Sequence, residues 1–269
     1  MRRIAAVPAL MITAAASAQP ADLVVQPGAS SVAAELCLTP PGLSTECDSD
    51  SSAVSGGLVI ELDSYVSPGA ITMHDFTLAL SDSMTYTMDW GFFIGGVNIE
   101  LTDVVVAYAT PGTPTGPVAV DGAGAFDFPV VQAIIAGNGS YEGYGPVMGQ
   151  LVGSGSFNLA DFGVVDSAIA GTVAVAGGQV TVSGAQSFAN EGEISGVQAT
   201  IDGDAAIVAT GSVPACGADF NGDGSVDTRD VLAFLNAWTQ QDPASDCDAN
   251  GAIDTRDVLC FLNTWTAGC

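Results

Sequence analysis

The chain has 269 residues with 30 acidic side chains, four basic ones and a formal net charge of −26 at neutral pH. This charge excludes nucleic acids and anionic membranes as favourable partners, because both would be repelled. We expect the chain to depend on salt or divalent cations that screen its self-repulsion.

The first 18 residues predict a secretory signal peptide. Arg2 and Arg3 precede a short apolar run, and Ala16-Ser17-Ala18 matches a cleavage site. Cleavage removes two of the four arginines, so residues 19–215 contain 21 acidic residues and neither lysine nor arginine. No later stretch has about 18 uninterrupted apolar residues. We therefore expect a secreted or cell-surface protein without a membrane-spanning segment.

Residues 19–213 predict a mainly β domain, either an antiparallel sandwich or an open barrel. Apolar residues alternate from Tyr86 through Trp90 and Phe92 to Ile94, as on half-buried strands. A second alternating run changes phase at Thr102-Asp103, which indicates a β-bulge.

Glycine and proline mark the predicted turns of this domain. Gly177-Gly178 predicts a two-residue hairpin turn, and Asp202-Gly203 predicts another turn. Clusters of proline and glycine at 111–117 and 136–146 predict longer loops.

The β domain shows little sign of catalysis. Its one histidine, His74, lies in a strand-like run, so we expect a structural residue. Glycoside hydrolysis by two carboxylates is an alternative, because 21 acidic residues are available. The aromatic platforms typical of such grooves are scarce, since Trp90 follows a buried phase. Tyr141 and Tyr144 are candidates for stacking on a sugar, but we favour a turn with two surface tyrosines.

The C-terminal region repeats itself. Residues 219–238 and 246–265 agree at 12 of 20 positions with an offset of 27 residues. Such duplication indicates one supersecondary unit used twice.

Each repeat opens with oxygen-bearing side chains at loop positions 1, 3, 5, 9 and 12, with glycine at position 6. This is the spacing by which a 12-residue loop binds Ca²⁺, with a backbone carbonyl from position 7. Asparagine and aspartate exchange places between positions 3 and 5 of the two loops, which preserves the ligand charge. The sequence therefore predicts two Ca²⁺ ions per chain, and the alternative is an acidic turn region without metal. The predicted ligands are Asp219, Asn221, Asp223, Ser225, Asp227 and Asp230, and then Asp246, Asp248, Asn250, Ala252, Asp254 and Asp257.

A helix follows each predicted loop. Asp227 and Asp254 are candidate N-caps, with a further aspartate three residues later that forms an acidic variant of the capping box. Phe234 and Phe261 belong to two matching apolar stripes at helical spacing. No helix precedes the first loop, so the unit is a loop followed by a helix rather than a full helix–loop–helix hand.

Six cysteines in an exported chain predict three disulfide bonds. Cys37 and Cys47 flank a Pro-Pro-Gly segment, so we expect them to close a local loop. Cys216 and Cys269 bracket the two repeats. The remaining pair, Cys247 and Cys260, occupies the positions of a large and a small residue in the first repeat, which indicates that these positions touch.

The duplicated D-x-N-x-D-G-x-V-D-x-x-D loop with its V-L-x-F-L-N helix resembles a dockerin, of the variety that ends in Gly-Cys. The resemblance covers about residues 216–269 and says nothing about residues 19–213. It implies Ca²⁺-dependent folding and docking onto a cohesin-like receptor on a scaffold or cell surface. In dockerins, loop positions 10 and 11 belong to the receptor-facing surface. The resemblance therefore implies that the partner-binding residues are Thr228, Arg229, Thr255 and Arg256.

The arginines of the two repeats have an alternative role, which is to pair with nearby aspartates. A cation in the first helical turn is disfavoured by the helix dipole, so local stability does not explain why arginine occupies this position.

Together these features predict an exported, non-catalytic β domain attached to a scaffold or cell surface by a small helical, Ca²⁺-binding domain, residues 214–269. One alternative is a protein that binds or degrades polysaccharide and is displayed by its dockerin. Another treats the repeats as an intramolecular Ca²⁺ clamp without a partner.

Overall fold

The computed structural model of the chain describes residues 19–223 and 226–267. The predicted signal peptide, residues 1–18, lies outside the described residues.

The chain divides into two compact units between Ala215 and Cys216. The sequence placed this boundary two residues earlier, between Val213 and Pro214. We call residues 19–215 the β unit and the described residues from Cys216 onward the helical unit.

The β unit contains one antiparallel sheet of twelve strands. This confirms the prediction of a mainly β, antiparallel fold. The strands are β1 (Ala21–Val25), β2 (Ser31–Thr39), β3 (Glu46–Leu62), β4 (Ala70–Leu80), β5 (Met84–Asp89), β6 (Gly96–Tyr108), β7 (Thr115–Ala119), β8 (Ala125–Tyr144), β9 (Ser154–Asn158), β10 (Val164–Ala176), β11 (Gln179–Ile194) and β12 (Val197–Ser212). A short helix, α1 (Met148–Leu151), lies between β8 and β9.

The strand pairings return on themselves. The hydrogen-bonded path runs from β3 through β4, β6, β8, β10, β11, β12 and β2 back to β3. Two short strands connect the long strands β3 and β12, since β2 pairs with one end of each and β1 with the other. The sequence was compatible with either a sandwich or an open barrel. The structure has a single sheet that encloses its core.

Side-chain alternation builds two hydrophobic clusters inside this sheet. Met84, Tyr86 and Met88 of β5 are almost fully buried, while the residues between them are exposed. They belong to one cluster, and the other gathers around Phe126 and Phe128, whose rings lie 5.6 Å apart. Each fully buried large side chain contributes roughly 1.5–3 kcal/mol to the free energy of folding.

Two local predictions for the sheet are confirmed. Gly177 and Gly178 join β10 to β11 with positive φ angles of 59° and 75°. The pairing of β6 with β8 shifts register between Thr102 and Val105, and Asp103 has a positive φ of 53° there. This shift is the predicted bulge.

The prediction of a turn at Asp202-Gly203 is wrong. Both residues lie within β12, and Gly203 is opposite Phe188 of β11. The chain reverses instead at Ser195-Gly196, between β11 and β12. A Cβ at position 203 would collide with the Phe188 ring, so this glycine marks a close packing contact rather than a turn.

The prediction of a loop at 136–146 is wrong for most of that range, because β8 continues to Tyr144. Its glycines leave room for neighbouring groups. The ring of Phe157 lies against Gly139, where a Cβ would collide with it. The loop predicted at 111–117 ends early, since β7 begins at Thr115.

The alternation predicted from Tyr86 to Ile94 is only partly present, because its later residues lie beyond the end of the strand. Strand β5 ends at Asp89, and the carbonyl of Gly91 accepts hydrogen bonds from the N–H groups of Ile94 and Gly95. Phe92, which follows the buried phase in sequence, is therefore at a turn and is 89% exposed.

The helical unit contains α2 (Thr228–Thr239), a single 3-10 turn at Pro243–Ser245 and α3 (Thr255–Ala267). None of the helices in the described ranges combines the length and the apolar character that crossing a membrane requires.

Two carboxylates of β3 take the place of strand pairing along one edge of β5. Asp50 accepts a hydrogen bond from the N–H of Thr85, and Asp48 accepts one from the N–H of Thr87, each at 2.7 Å. Because backbone hydrogen bonds, above all that of Thr85, stabilise the ionised form, the pKa of Asp50 is below its ordinary value. Alternate side chains of β3 thus accept hydrogen bonds from alternate N–H groups of β5.

We predict that Asp50→Ala lowers the free energy of unfolding of the β unit by about 1 kcal/mol at neutral pH, because hydrogen bonds to a charged acceptor are lost. A carboxyl with a lowered folded-state pKa stabilises the fold above its unfolded pKa, about 3.9, and loses this effect as the pH falls through the folded-state value. The difference from the unsubstituted protein should therefore vanish in strong acid. Denaturant titration of the full chain, followed by the β-sheet dichroism at several pH values, measures it.

The matched control is Asp127→Ala, which removes an exposed carboxylate of β8. We expect it to cost less than about 0.5 kcal/mol. Equal losses in the two variants, or a loss for Asp50→Ala that persists in strong acid, would contradict the role of this carboxylate.

Candidate metal centres

Both repeats begin their helices with the same set of hydrogen bonds. At the start of α2, the carboxylate of Asp227 accepts from the N–H of Arg229 at 2.6 Å, and Asp230 accepts from the N–H of Asp227 at 2.8 Å. Asp254 and Asp257 form the equivalent bonds at the start of α3. The predicted acidic capping box is present.

The aspartates at loop position 12 connect each helix to the beginning of its loop. Asp230 and Asp257 are fully buried. The second oxygen of Asp230 accepts from the N–H of Asn221 at 3.2 Å, and that of Asp257 accepts from the N–H of Asp248 at 3.3 Å. The N–H of Asp254 and other backbone N–H groups stabilise the ionised carboxylate of Asp257, which lowers its pKa although burial opposes the shift.

In the first loop, the side chains of positions 1 and 3 accept a backbone N–H of the loop, and the side chains of positions 3 and 5 bond to each other. The N–H of Asp223 donates to Oδ1 of Asp219 at 3.1 Å and to Oδ1 of Asn221 at 2.8 Å. The amide of Asn221 in turn donates to Oδ2 of Asp223 at 3.1 Å. Oxygens of Asp219 and Asn221 thus lie close to the same N–H group, that of Asp223.

The second loop folds in the same way. The N–H of Asn250 donates to Oδ1 of Asp246 at 3.1 Å and to Oδ1 of Asp248 at 3.2 Å. The N–H of Ala252 donates to the side-chain oxygen of Asn250 at 2.8 Å. Carboxylate oxygens of Asp246, Asp248 and Asp257 all lie within 4.8 Å of one another.

This donor set fits Ca²⁺. The convergent groups are carboxylate and amide oxygens, which a hard divalent cation prefers over nitrogen or sulfur ligands. A carboxylate oxygen that accepts one N–H bond still has a lone pair for a cation. Three carboxylates this close repel one another, and a bound cation would remove that repulsion.

Not every predicted ligand has the same place. Asp227 and Asp254, at loop position 9, serve as helix caps, and Asp254 is not a member of the carboxylate cluster in the second loop. Ser225, predicted to ligate through its carbonyl in the first loop, lies outside the described residues. Ala252 holds the same position in the second loop and is exposed.

The two repeats pack through equivalent residues. Phe234 of α2 and Phe261 of α3 stack with their ring centroids 4.2 Å apart and an interplanar angle of 3°. Each helix also reaches the loop of the other repeat, because Trp238 donates from Nε1 to the carbonyl of Asp254 at 2.8 Å. Trp265 donates in the same way to the carbonyl of Asp227 at 2.9 Å. These reciprocal contacts relate the repeats by a pseudo-twofold axis.

Two of the three predicted disulfide bonds are confirmed. Cys37 and Cys47 are directly opposite each other on β2 and β3 and are bonded. Cys247 and Cys260 are also bonded. The predicted partner of Cys216, Cys269, lies outside the described residues.

The residues implied in partner binding occupy the start of each helix. Thr228, Arg229, Thr255 and Arg256 are all exposed. Nη1 of Arg229 lies 3.9 Å from Oδ2 of Asp227, which leaves the arginine side chain 75% exposed. An exposed pair at this distance contributes at most roughly 1 kcal/mol. For Arg256, no ion pair is found among the residues that the structure describes.

The structure adds one pair of residues that the sequence analysis missed. Leu232 and Leu259 hold equivalent positions, one helical turn after Thr228 and Thr255, and are 62% and 63% exposed. Their departure from the buried stripe of each helix was the available signal. Each repeat therefore presents an exposed surface of threonine, arginine and leucine, which we call the Thr-Arg-Leu face.

In the β unit, His74 donates a hydrogen bond from Nε2 to Oε2 of Glu61 at 2.8 Å, across β4 and β3. This contact fits the structural role predicted for His74. Tyr141 and Tyr144 lie on β8 and not on a turn, with their rings against Gly155 and Gly96. The favoured prediction of a turn with two surface tyrosines is therefore wrong. Both side chains are half-buried, and Tyr141 lines an open groove on the β unit.

Comparison with known proteins does not assign the chain to a family. No family model matches the sequence, and no curated protein matches it. Among solved structures, Ail, the attachment invasion locus protein of Yersinia pestis, matches with a TM-score of 0.27 and 9% sequence identity, over 70% of this chain and 98% of that one. A TM-score of this size assigns neither a fold nor a function to this chain.

We predict that Trp238→Phe and Trp265→Phe each destabilise the helical unit by about 1 kcal/mol, because each removes one hydrogen bond between the repeats. The effect of Trp265→Phe should be the larger, since its bond is partly buried whereas that of Trp238 is exposed. Thermal unfolding of the full chain in Ca²⁺, followed by helical dichroism, measures both. Trp90→Phe is the control, since it removes a similar bond to Ser44 in the β unit. Unchanged midpoints for Trp238→Phe and Trp265→Phe would contradict the reciprocal contacts.

Proposed function

We propose that this chain is an exported, non-catalytic β unit attached to a scaffold or cell surface by a dockerin-like helical unit that binds Ca²⁺ and docks onto a cohesin-like receptor. The observation that carries the proposal is the duplication of an exposed Thr-Arg-Leu face. Each copy follows an acidic loop with a buried aspartate at position 12, and in the second loop three carboxylates lie close together.

The arrangement of the loops supports Ca²⁺ binding. Buried carboxylates at position 12 accept backbone N–H bonds from both ends of the loop, so they occupy the place where loop and helix meet. Without a cation, the charges of the second-loop cluster repel one another within a small unit that has little core of its own. Bound Ca²⁺ would therefore stabilise the fold as well as the site.

The symmetry of the repeats supports docking. The Phe234–Phe261 stack places the two helices in equivalent surroundings. Each repeat consequently offers the same exposed face, with an arginine that local stability does not require. A receptor that fits one face also fits the other after rotation about the pseudo-twofold axis.

An open groove on the β unit favours carbohydrate binding as a second candidate function. The groove has a volume of about 800 Å³ and lies across β5, β6, β8 and β9. Exposed Asn98, Glu100 and Glu142 line it together with serines and threonines, and such groups can hydrogen-bond sugar hydroxyls. A glycan panel probed with the full chain and with Glu100→Ala/Glu142→Ala tests it. Equal retention of both proteins on every glycan would remove this candidate.

We predict that calorimetry of the full chain detects two bound Ca²⁺ ions and that chelation lowers the helical dichroism. Asp230→Asn and Asp257→Asn should each abolish one ion, because each removes a buried negative charge while keeping a hydrogen-bond acceptor. Asp50→Asn in the β unit is the matched control and should leave both ions bound. Absence of binding at millimolar Ca²⁺ would refute the proposed metal sites.

We predict that Arg229→Ala and Arg256→Ala each leave receptor binding nearly intact, because the other face is still available. The double variant should lose binding at least about tenfold, in the range expected for central interface residues. Leu232→Ala/Leu259→Ala should behave likewise, with Ca²⁺ affinity unchanged in both double variants. Surface plasmon resonance on cohesin-type domains measures binding, and unaltered affinity in both double variants would return the repeats to the role of an intramolecular clamp.

A further inference from the structure

The two repeats differ at one contact between loop and helix. In the first repeat, Phe220 at loop position 2 packs edge-on against Phe234 and Phe261, with ring centroids 5.2 and 5.8 Å apart. In the second repeat, position 2 is Cys247, and a disulfide bond joins it to Cys260 of α3. The first loop is thus held by a packing contact and the second by a covalent bond.

The disulfide bond lies at the carboxylate cluster of the second loop. Cys247 stands between Asp246 and Asp248, and Cys260 follows Asp257 by three residues on α3. The bond therefore connects the segment that carries two of the clustered carboxylates to the helix that carries the third.

We propose that the Cys247–Cys260 bond is a redox-sensitive lock on the second Ca²⁺ loop alone, an inference that rests on the Ca²⁺-binding part of the proposed function. An external dithiol is the reductant. Its thiolate attacks one sulfur of the bond, its second thiol completes the exchange, and the products are two protein thiols and a cyclic disulfide of the reductant. Cys247 and Cys260 are both only partly buried, so a small dithiol can reach them.

The disulfide bond holds the second loop against α3, although its carboxylates repel one another. The loop therefore remains closed before Ca²⁺ binds. After reduction, closure of the loop costs conformational entropy, and Ca²⁺ affinity falls by roughly ten- to a hundredfold, less than the full chain-entropy effect of such a cross-link. The first loop keeps its affinity, because the contacts of Phe220 are not covalent. Reduction converts a unit with two matched sites into one with a single strong site.

The test measures each loop separately in the full chain. Asp219→Asn/Asp223→Asn silences the first loop, and Asp246→Asn/Asp248→Asn silences the second. Isothermal titration with Ca²⁺, with and without a dithiol, then reports one loop at a time. We expect the dithiol to weaken binding at the second loop by about tenfold or more and to leave the first loop unchanged.

The dithiol also reduces other disulfide bonds of the chain, so variants isolate this one. Cys247→Ser/Cys260→Ser without dithiol should reproduce the weakened second loop. Cys247→Phe/Cys260→Ala installs the residues of the first repeat and should make the second loop insensitive to dithiol, which keeps the test decisive if the serine variant fails to fold.

The outcomes separate this inference from the proposed function. Equal Ca²⁺ affinity of the second loop with and without the bond would overturn the lock while leaving two Ca²⁺ sites in place. Equal losses in both loops would overturn it as well, since the bond would then support the whole unit. No Ca²⁺ binding by the oxidised chain would overturn the proposed metal sites and the lock with them.

Discussion

The shortage of basic side chains is the constraint to which the rest of this structure responds. A carboxylate in the β unit has no lysine or arginine within that unit to pair with. Its partners there are backbone N–H groups, hydroxyls, the amide of Gln132 and the single histidine, His74. Asp63 accepts from the N–H groups of Gly69 and Ala70 at 2.8 and 2.9 Å, and Asp121 holds a turn in the same way. Asp48 and Asp50 extend this use to a whole strand edge. The acidic residues of this unit are therefore structural connections as much as surface charge.

The same interaction reaches its limit in the helical unit. Backbone N–H groups satisfy the buried carboxylates of Asp230 and Asp257, but they do not cancel the negative charge that gathers beside Asp257. In the second loop, carboxylates of three residues come within 4.8 Å of one another. Hydrogen bonds shape this cluster, and a divalent cation is the partner that would neutralise it. The two units thus differ in how closely their carboxylates approach one another, not in whether they contain them.

Packing between the two repeats supplies core contacts that one repeat is too small to form by itself. A unit of this length cannot bury much apolar surface by itself, so contacts that join one repeat to the other add to its core. The stacked phenylalanines and the reciprocal tryptophan bonds are pairs of equivalent residues. Position 2 departs from this equivalence, since Phe220 corresponds to a disulfide-bonded cysteine. Equivalent surfaces and unequal loops thus follow from the same duplication.

Much of the fold could be predicted from local patterns, and the predictions that were wrong failed for physical reasons. The Gly177-Gly178 hairpin and the capping box at Asp227 depend on neighbouring residues alone, so they were predictable. Gly203 and Gly139 lie within strands because distant phenylalanine rings need the space, and no local pattern records that contact.

The candidate site shows the same division. The loop spacing predicts which acidic side chains lie together in the second loop, whereas the exposure of Leu232 and Leu259 depends on how two helices pack. The closed path of strand pairings likewise depends on contacts between residues far apart in sequence.

The most direct test of the account is a crystal structure of the full chain grown in Ca²⁺, with anomalous diffraction recorded at a wavelength where calcium scatters strongly. Two anomalous peaks are expected, one in each loop, bounded by the side chains of positions 1, 3, 5 and 12. Loops without peaks at millimolar Ca²⁺, or with their carboxylates turned to solvent, would contradict it.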